Sequence, residues 1–212
     1  MKKEEAMSLL TYAELAYSTI PTVFSSFLLA RECIEKNVPG DFVECGVFSG
    51  CQCAAMALAG DRTIHLLDSF EGIPMAGEHD GPDIRGLIGD GHGELVSSGK
   101  SVASMEIVQR YMAMWGVDPS RLVYHKGWFQ HTLPHINIGE IALLRLDGDL
   151  YESTKVCLDH LYPRLSIGGY CVVDDYNLAG CRKAVFDFFG YAPSVTEIVG
   201  GHGPVYWIKK TN

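Results

Sequence analysis

From residue 41 onward, the chain alternates short apolar runs with amphipathic segments, and this alternation limits its possible folds more than any other feature. "RTIHLLD" (62–68) and "EIALLRLD" (140–147) have the apolar character of buried strands. Between such runs lie segments with apolar residues at helical spacing, for example "TKVCLDHLYPRL" (154–165). Strands that alternate with helices are joined by right-handed crossovers, so the pattern predicts a parallel sheet.

The end of the chain breaks this alternation. "TEIVGGHGPVYWIKK" (196–210) places two strands on either side of a Gly-rich turn, which indicates a hairpin whose last strand runs antiparallel. We therefore predict an α/β fold with seven strands, a mostly parallel sheet, an antiparallel C-terminal hairpin and helices on both faces. This plan resembles that of the class I methyltransferases, a Rossmann-like sheet, and differs from the plain dinucleotide-binding fold. We expect one domain over residues 1–212 that begins with a helical segment (1–37), in which a first helix spans 5–18 and a second amphipathic segment follows Pro21.

Composition excludes several classes of partner. The formal net charge is −9 and no run of Lys or Arg exceeds two residues, which argues against a nucleic-acid or anionic-membrane partner. No apolar stretch reaches the ~18–20 residues of a membrane helix, and the first ten residues do not have the pattern of a signal peptide. The seven cysteines lie in apolar segments, as expected for buried thiols in a reducing compartment. We therefore expect a cytoplasmic protein.

Acidic residues end four of the predicted strands: Glu44, Asp68, Asp147 and the pair Asp174–Asp175. In open parallel sheets, ligands bind beyond the carboxyl ends of the strands, near the point where strand order reverses. The turn "ECGVFSG" follows the first strand, and its Gly46 and Gly50 permit a tight turn and close backbone approach by a ligand. Asp68 ends the second strand, where a carboxylate can accept the hydroxyls of a ribose. The turn carries neither a GxGxxG pattern nor a Lys or Arg for a pyrophosphate. These features favour a nucleoside ligand and argue against NAD.

The acids of the fourth and fifth strands predict a metal site. These strands should be neighbours, so Asp147, Asp174 and Asp175 should converge. Carboxylates that lie this near to one another repel unless a proton or a cation bridges them. A ligand set of oxygens alone favours Mg²⁺ before Ca²⁺ or Mn²⁺. The alternative is that the acids cap the helices after the strands, which fits Asp149 or Asp175 singly but does not explain three together.

Residues 71–100 form a Gly-rich, polar segment without a clear hydrophobic period. A connection of this length is uncommon in a compact domain unless it is functional or disordered. We therefore predict a lid loop over the site.

Several motifs together resemble the macrocin O-methyltransferase family, from about residue 38 to the C-terminus. They are "VPGDFVECGVFSG", "LLDSFEGIP", "KGWFQHTLP", "LRLDGDLYEST" and "LYPRLSIGGYCVVDDY". Members of this family methylate sugar hydroxyls of antibiotics and related metabolites, using S-adenosylmethionine and Mg²⁺. His131 departs from the pattern, since an Asp is more usual after "GWFQ".

The resemblance implies roles for individual residues. It implies that Asp147, Asp174 and Asp175 hold the metal and that Asp149 is the general base. The residues implied to surround the cofactor are Glu44, Gly46, Val47, Phe48, Ser49, Asp68, Ser69, Trp128 and Phe129.

The function that we expect is therefore methyl transfer to a hydroxyl of a small molecule, with a sugar of a secondary metabolite as the preferred acceptor. Two alternatives remain open at this point. One is a catechol-type O-methyltransferase acting on a vicinal aromatic diol, and the other is a cofactor-binding regulatory protein without catalysis. The N-terminal helices are the expected contact if the chain forms a homo-oligomer.

Overall fold

A seven-stranded sheet forms the centre of the protein. The computed structural model describes residues 1–14, 18–92 and 94–210. The strands are β1 (Asp41–Cys45), β2 (Ile64–Asp68), β3 (Leu122–Lys126), β4 (Ile141–Leu146), β5 (Leu165–Val173), β6 (Thr196–Glu197) and β7 (Val205–Ile208). Their order in the sheet is β3-β2-β1-β4-β5-β7-β6. Because β1 lies between β2 and β4, the strand order reverses there.

The pairing of the strands confirms the predicted sheet. β1 pairs in parallel with β2 and β4, β2 with β3, and β4 with β5. The last two strands are antiparallel, with β7 paired to both β5 and β6. The carboxyl ends of β1, β2, β4 and β5 therefore meet at one edge of the sheet.

Helices cover both faces of the sheet, as predicted. They are α1 (Lys3–Ala13), α2 (Ile20–Glu35), α3 (Cys51–Ala59), α4 (Pro82–Ile88), α5 (Met105–Met114), α6 (Phe129–Thr132), α7 (Tyr151–Leu161) and α8 (Ala179–Phe189). One core contains residues of α1, α2, α3 and α5, and the other contains residues of α6, α7 and α8. Successive strand residues point to opposite faces, so Phe42 lies in the first core and Val43 in the second.

The N-terminal helices differ from the prediction in their bounds. The first was expected over 5–18, but α1 ends at Ala13, and residues 15–17 of the predicted helix lie outside the described residues. The second begins at Ile20, where the Thr19 hydroxyl accepts a hydrogen bond from the main-chain N–H of Thr22. Exposed Met7 and Leu28 lie on these helices. Oligomerisation through them stays a prediction.

The segment 71–100 is not simply a loop, which corrects the expectation. It contains α4, and two isolated bridges, Pro74 to Ser97 and Ala76 to Asp90, fold the segment back on itself. Ile84 and Ile88 of α4 are buried with Ala76 and Leu150. The sequence signal for this helix was Pro82 at its first position followed by two isoleucines four residues apart. Glycines on both sides of α4 obscured this period.

All seven cysteines are free and buried, as the sequence predicts. His65 of β2 and His125 of β3 are neighbours, with 3.0 Å between His65 Nδ1 and His125 Nε2. Within the described residues, no helix has both the length and the apolar character needed to cross a membrane.

Candidate active site

One cavity lies at the edge of the sheet where β1, β2, β4 and β5 end. All thirteen residues to which the sequence assigned a role line this cavity. They are Glu44, Gly46, Val47, Phe48, Ser49, Asp68, Ser69, Trp128, Phe129, Asp147, Asp149, Asp174 and Asp175. The fold therefore brings the predicted cofactor, metal and base residues together. Their individual roles stay predictions.

The turn after β1 lies against the loop after β4. Gly46 has a φ of +89°, and a Cβ atom there would lie 1.7 Å from the carbonyl oxygen of Asp147. The Asp147 N–H also donates to the carbonyl of Cys45 (2.8 Å). The sequence suggested that Gly46 permits close approach of a ligand. In the structure, the close neighbour that requires glycine is the main chain of Asp147.

The Asp68 carboxylate holds the turns after β1 and β2. Oδ2 accepts main-chain hydrogen bonds from Val47 (2.6 Å) and Phe48 (3.3 Å), and Oδ1 accepts one from Phe70 (2.6 Å). Burial raises the pKa of Asp68, and these three N–H donors oppose the shift. Oδ2 already accepts two hydrogen bonds, so the second lone pair of Oδ1 is the one that remains for a ribose hydroxyl. That role stays a prediction.

Arg145 is a buried cation at the centre of the acidic cluster. Its side chain is 1% exposed. Nη1 donates to Asp147 Oδ2 (2.8 Å) and lies 3.4 Å from Glu44 Oε1, while Nη2 donates to Asp174 Oδ1. Sequence reasoning missed this residue. The available signal was a single cation inside the otherwise apolar strand β4, because a buried Arg requires anionic partners.

Three carboxylates beside Arg145 could hold a cation. Asp147, Asp174 and Asp175 each offer an oxygen, and these oxygens lie within 4.8 Å of one another. Burial raises the pKa of Asp174 to about 7 although Arg145 opposes the shift, and it raises the pKa of Asp175 well above the usual range. The cluster thus concentrates negative charge that a proton or a cation must offset.

Asp149 stands beside this cluster in an unusual backbone conformation. Gly148 separates Asp147 from Asp149, but the residue with left-handed backbone is Asp149, with φ +60°. Its N–H donates to Asp175 Oδ2 (2.9 Å), which fixes the turn. Burial, followed by the charges of Asp147 and Asp174, raises the pKa of Asp149 to about 7. Asp tolerates a positive φ better than most residues do, so the turn costs little backbone strain.

Glu44 is fully buried and only partly satisfied. Its Oε2 accepts a hydrogen bond from the Cys53 thiol (2.8 Å). Within the described residues, Oε1 has no hydrogen-bond partner, although Arg145 lies within ion-pair distance. Burial raises the pKa of Glu44 to about 8, and Arg145 opposes the shift. An unsatisfied oxygen that borders a cavity is suited to a donor group of a ligand.

The cavity also has walls that the sequence reasoning did not identify. Ile73 and Pro74 come from the segment 71–100, Gln130 comes from α6, and Ser153 comes from α7. All four lie within motifs quoted above, but no role was assigned to them from the sequence. They reach the cavity through contacts between distant parts of the chain.

Comparison with known proteins shows the family of the chain. Residues 27–199 match the family model described as Macrocin-O-methyltransferase. The demethyldecarbamoylnovobiocin O-methyltransferase of Streptomyces niveus is 38% identical over 190 residues, covering 84% of this chain and 70% of that protein. The mycinamicin III 3''-O-methyltransferase of Micromonospora griseorubida is 35% identical over 190 residues, covering 84% and 73%.

A solved structure is similar over most of the chain. The O-methyltransferase NovP superposes with a TM-score of 0.77 at 34% sequence identity. The match covers 91% of this chain and 81% of NovP. The sheet and the helices on both of its faces are therefore those of a class I methyltransferase.

Proposed function

This chain belongs to the macrocin-O-methyltransferase family and is an O-methyltransferase, and we propose that it transfers a methyl group from S-adenosylmethionine to a sugar hydroxyl of a natural product, with Mg²⁺ bound. The observation that carries the proposal is the convergence of Asp147, Asp174 and Asp175 beside Asp149 in one cavity. The substrates in the names of the two relatives, demethyldecarbamoylnovobiocin and mycinamicin III, support a natural-product acceptor.

The carboxylates fit a divalent cation. Arg145 occupies one oxygen of Asp147 and one of Asp174, and the Asp149 N–H occupies one oxygen of Asp175. One oxygen of each carboxylate is therefore left for a cation. A donor set made of oxygen alone suits Mg²⁺, which keeps several waters or substrate oxygens as its other ligands.

The other end of the cavity fits the cofactor. The unsatisfied Oε1 of buried Glu44 can accept a hydrogen bond from an ammonium or hydroxyl group. Asp68 ends the neighbouring strand, and its Oδ1 keeps a lone pair for a ribose hydroxyl. Trp128 and Phe129 add aromatic surface to the same cavity. These residues match a ligand that carries an amino acid, a ribose and a base.

The chain contributes positioning and proton transfer to the reaction. When bound, the cation lowers the pKa of a coordinated hydroxyl and S-adenosylmethionine supplies an electrophilic methyl group. Asp149, oriented by its hydrogen bond to Asp175, takes the hydroxyl proton on a side-chain oxygen. Arg145 holds Asp147 and Asp174 in place. The aromatic wall limits the access of water.

We also propose that the segment 71–100 acts as a lid. Ile73 and Pro74 belong to this segment and line the same cavity as Asp149, so a movement of the segment would open the site. Hydrogen exchange of residues 71–100 should slow when S-adenosylhomocysteine, Mg²⁺ and an acceptor glycoside are bound together. Equal exchange in the free and ternary forms would argue against a lid.

Methyl transfer from radiolabelled S-adenosylmethionine tests the proposal. The acceptors should include neutral rhamnosides and catechol, each assayed with EDTA and with added Mg²⁺. We expect transfer to a glycoside only when Mg²⁺ is present. Faster transfer to catechol than to every glycoside would favour the catechol-type alternative, and full activity in EDTA would reject the metal.

A matched pair of variants separates metal loss from general damage. Asp174→Asn should raise the Mg²⁺ concentration required for activity, since it removes a charged ligand. Asp159→Asn changes an exposed acid of α7, which pairs with Lys155, and should leave that requirement unchanged.

A further inference from the structure

Arg145 lies beside the carboxylates that could hold a cation, and its surroundings fix it there. In the sheet it is opposite Glu44 of β1 and Val172 of β5, and its side chain is 1% exposed. Nη1 donates to Asp147 and lies 3.4 Å from Glu44 Oε1, while Nη2 donates to Asp174. Removal of the guanidinium from these partners would leave a buried charge unpaired, so the side chain keeps its position.

The guanidinium occupies one oxygen of each of two carboxylates. Its terminal nitrogens lie in one rigid plane, and they donate to Asp147 Oδ2 (2.8 Å) and to Asp174 Oδ1. A third oxygen, Asp175 Oδ2, accepts from the main-chain N–H of Asp149 (2.9 Å). The oxygens left for a cation are therefore Asp147 Oδ1, Asp174 Oδ2 and Asp175 Oδ1. Each carboxylate can give a cation one oxygen and is hindered from giving two.

Mg²⁺ and Ca²⁺ differ in their use of the second carboxylate oxygen. Mg²⁺ takes an octahedron of ligands at about 2.0–2.1 Å and keeps several waters among them. Ca²⁺ takes about six to eight oxygens at about 2.3–2.6 Å, and a carboxylate can supply two of these. A cluster restricted to one oxygen per carboxylate therefore suits the smaller ion and withholds ligands from the larger one.

We propose that Arg145 is a positioning residue that makes the site selective for Mg²⁺ over Ca²⁺, because it blocks bidentate coordination by Asp147 and Asp174. The proposal rests on the proposed function and deepens it, since it concerns which divalent cation the same carboxylates take. Without Arg145, both carboxylates could offer two oxygens, and Ca²⁺ would gain more from them than Mg²⁺. Charge alone does not produce this selectivity, because loss of one positive charge favours both divalent ions to a similar extent.

Isothermal titration calorimetry of the metal-free protein with MgCl₂ and with CaCl₂ tests the proposal without any need for turnover. The parent should bind Mg²⁺ at least as tightly as Ca²⁺. Arg145→Met should shift the ratio of the two dissociation constants toward Ca²⁺ by about fivefold or more, because it frees further carboxylate oxygens. The electrostatic gain common to both ions cancels in this ratio. Arg110→Met, which removes an exposed cation from α5, is the control and should keep the ratio of the parent.

Arg145→Lys separates the planar fork of the guanidinium from its charge. Lysine keeps the positive charge but is a compact point charge without the rigid pair of donors that holds two carboxylates. The ratio should therefore shift toward Ca²⁺ in this variant as well, by about threefold or more. Circular dichroism shows whether Arg145→Met is folded. Where it is not, Arg145→Lys decides, and an unchanged ratio in that variant would overturn the proposal.

Two further results would reject the role of Arg145 while leaving the metal in place. One is a parent that binds Ca²⁺ more than about tenfold tighter than Mg²⁺, and the other is a folded Arg145→Met with the ratio of the parent. Failure of the proposed function looks different. The parent would then bind neither ion, or would transfer methyl groups at its full rate in EDTA, and the selectivity would be rejected together with the metal.

Discussion

The carboxylate of Asp80 accepts a hydrogen bond from the main-chain N–H of Tyr151 (2.9 Å), although the two residues are 71 positions apart in the chain. Tyr151 is the first residue of α7, whose N-cap residue Leu150 provides no side-chain cap. The other oxygen of Asp80 accepts from the N–H of Gly77 (2.8 Å). A Cβ at Gly180 would lie 2.3 Å from Asp80 Oδ1, so glycine in α8 leaves room for this contact. Asp80 thus ties the segment 71–100 to the helix that follows the proposed base.

We expect Asp80→Ala to destabilise the protein by about 2–3 kcal/mol, because it leaves two buried main-chain donors without partners. Asp80→Asn keeps one acceptor oxygen and should lose about half as much. Urea unfolding with an unchanged m-value measures both effects. Asp83→Ala, an exposed change in the same segment, should stay within about 0.5 kcal/mol of the parent. A loss from Asp80→Ala no larger than that of the control would show that the cap contributes little.

Arg145→Met should lower the free energy of unfolding by about 3–5 kcal/mol at neutral pH. The substitution leaves the carboxylates of Glu44, Asp147 and Asp174 without their buried counter-charge. The loss should be smaller at pH 5 than at pH 8, because the raised pKa values of Glu44 (about 8) and Asp174 (about 7) mean that both are protonated at pH 5. Chemical unfolding at the two pH values gives both results. Arg110→Met removes an exposed cation from α5 and serves as the control. A loss independent of pH would mean that packing, rather than charge, explains the effect.

The sequence predicted the acidic cluster because topology alone brings its members together. In a parallel sheet the ends of neighbouring strands share an edge, so Asp147 and the pair Asp174–Asp175 had to converge once β4 and β5 were adjacent. The same reasoning placed Glu44 and Asp68 beside them. The alternation of apolar and amphipathic segments therefore contained enough information for the sheet, its hairpin and the position of the site.

Contacts that depend on side-chain direction or on long-range packing could not be predicted in this way. The position of Asp80 at the start of α7 requires the folded path of the segment 71–100, which has no regular period around its glycines. Asp68 bonds to main-chain N–H groups of the neighbouring turn, and no sequence pattern specifies those partners. Asp149, and not the neighbouring Gly148, adopts the positive φ of this turn. The hydrogen bond from the Asp149 N–H to Asp175 favours that conformation, and no sequence pattern specifies it.

His125 should make the stability of the protein depend on pH. Burial, followed by the charge of His65, lowers the pKa of His125 from its ordinary value of 6.5. Below pH 6.5 the unfolded chain takes up a proton that the folded protein resists, so His125 contributes a loss of stability as the pH falls from about 7 to 5. We expect His125→Gln to lose less stability over this interval than the parent does, as measured by urea unfolding at each pH.

The exposed His131 provides the matched control for this measurement. His131→Gln should follow the pH dependence of the parent, because its ring is in contact with solvent in both states. A His125→Gln profile that coincides with that of the parent would mean that other groups, such as the carboxylates near Arg145, account for the whole dependence.

Asp149→Asn should separate chemistry from binding. Asn keeps the shape of the side chain and tolerates the positive φ found at this position, but it cannot take a proton. Loss of a general base costs about 10²–10⁴-fold in rate, so kcat should fall by that factor while the affinities for Mg²⁺ and S-adenosylmethionine change little. Steady-state kinetics gives the first quantity and isothermal titration calorimetry the others.

The outcome for Asp149→Asn distinguishes three roles of the residue. Asp159→Asn alters an exposed acid of α7 and should retain the parent rate. Any change in its rate measures the nonspecific effect of an Asp→Asn substitution. A rate for Asp149→Asn within about threefold of that control would remove the residue from the mechanism. A collapse of Mg²⁺ affinity would instead make Asp149 a metal ligand. The proton acceptor would then have to be another residue near the site. His79 is a candidate, because its ring centroid lies 4.4 Å from that of Tyr151 and it lines a second cavity that shares Gln130 and Ser153 with the first.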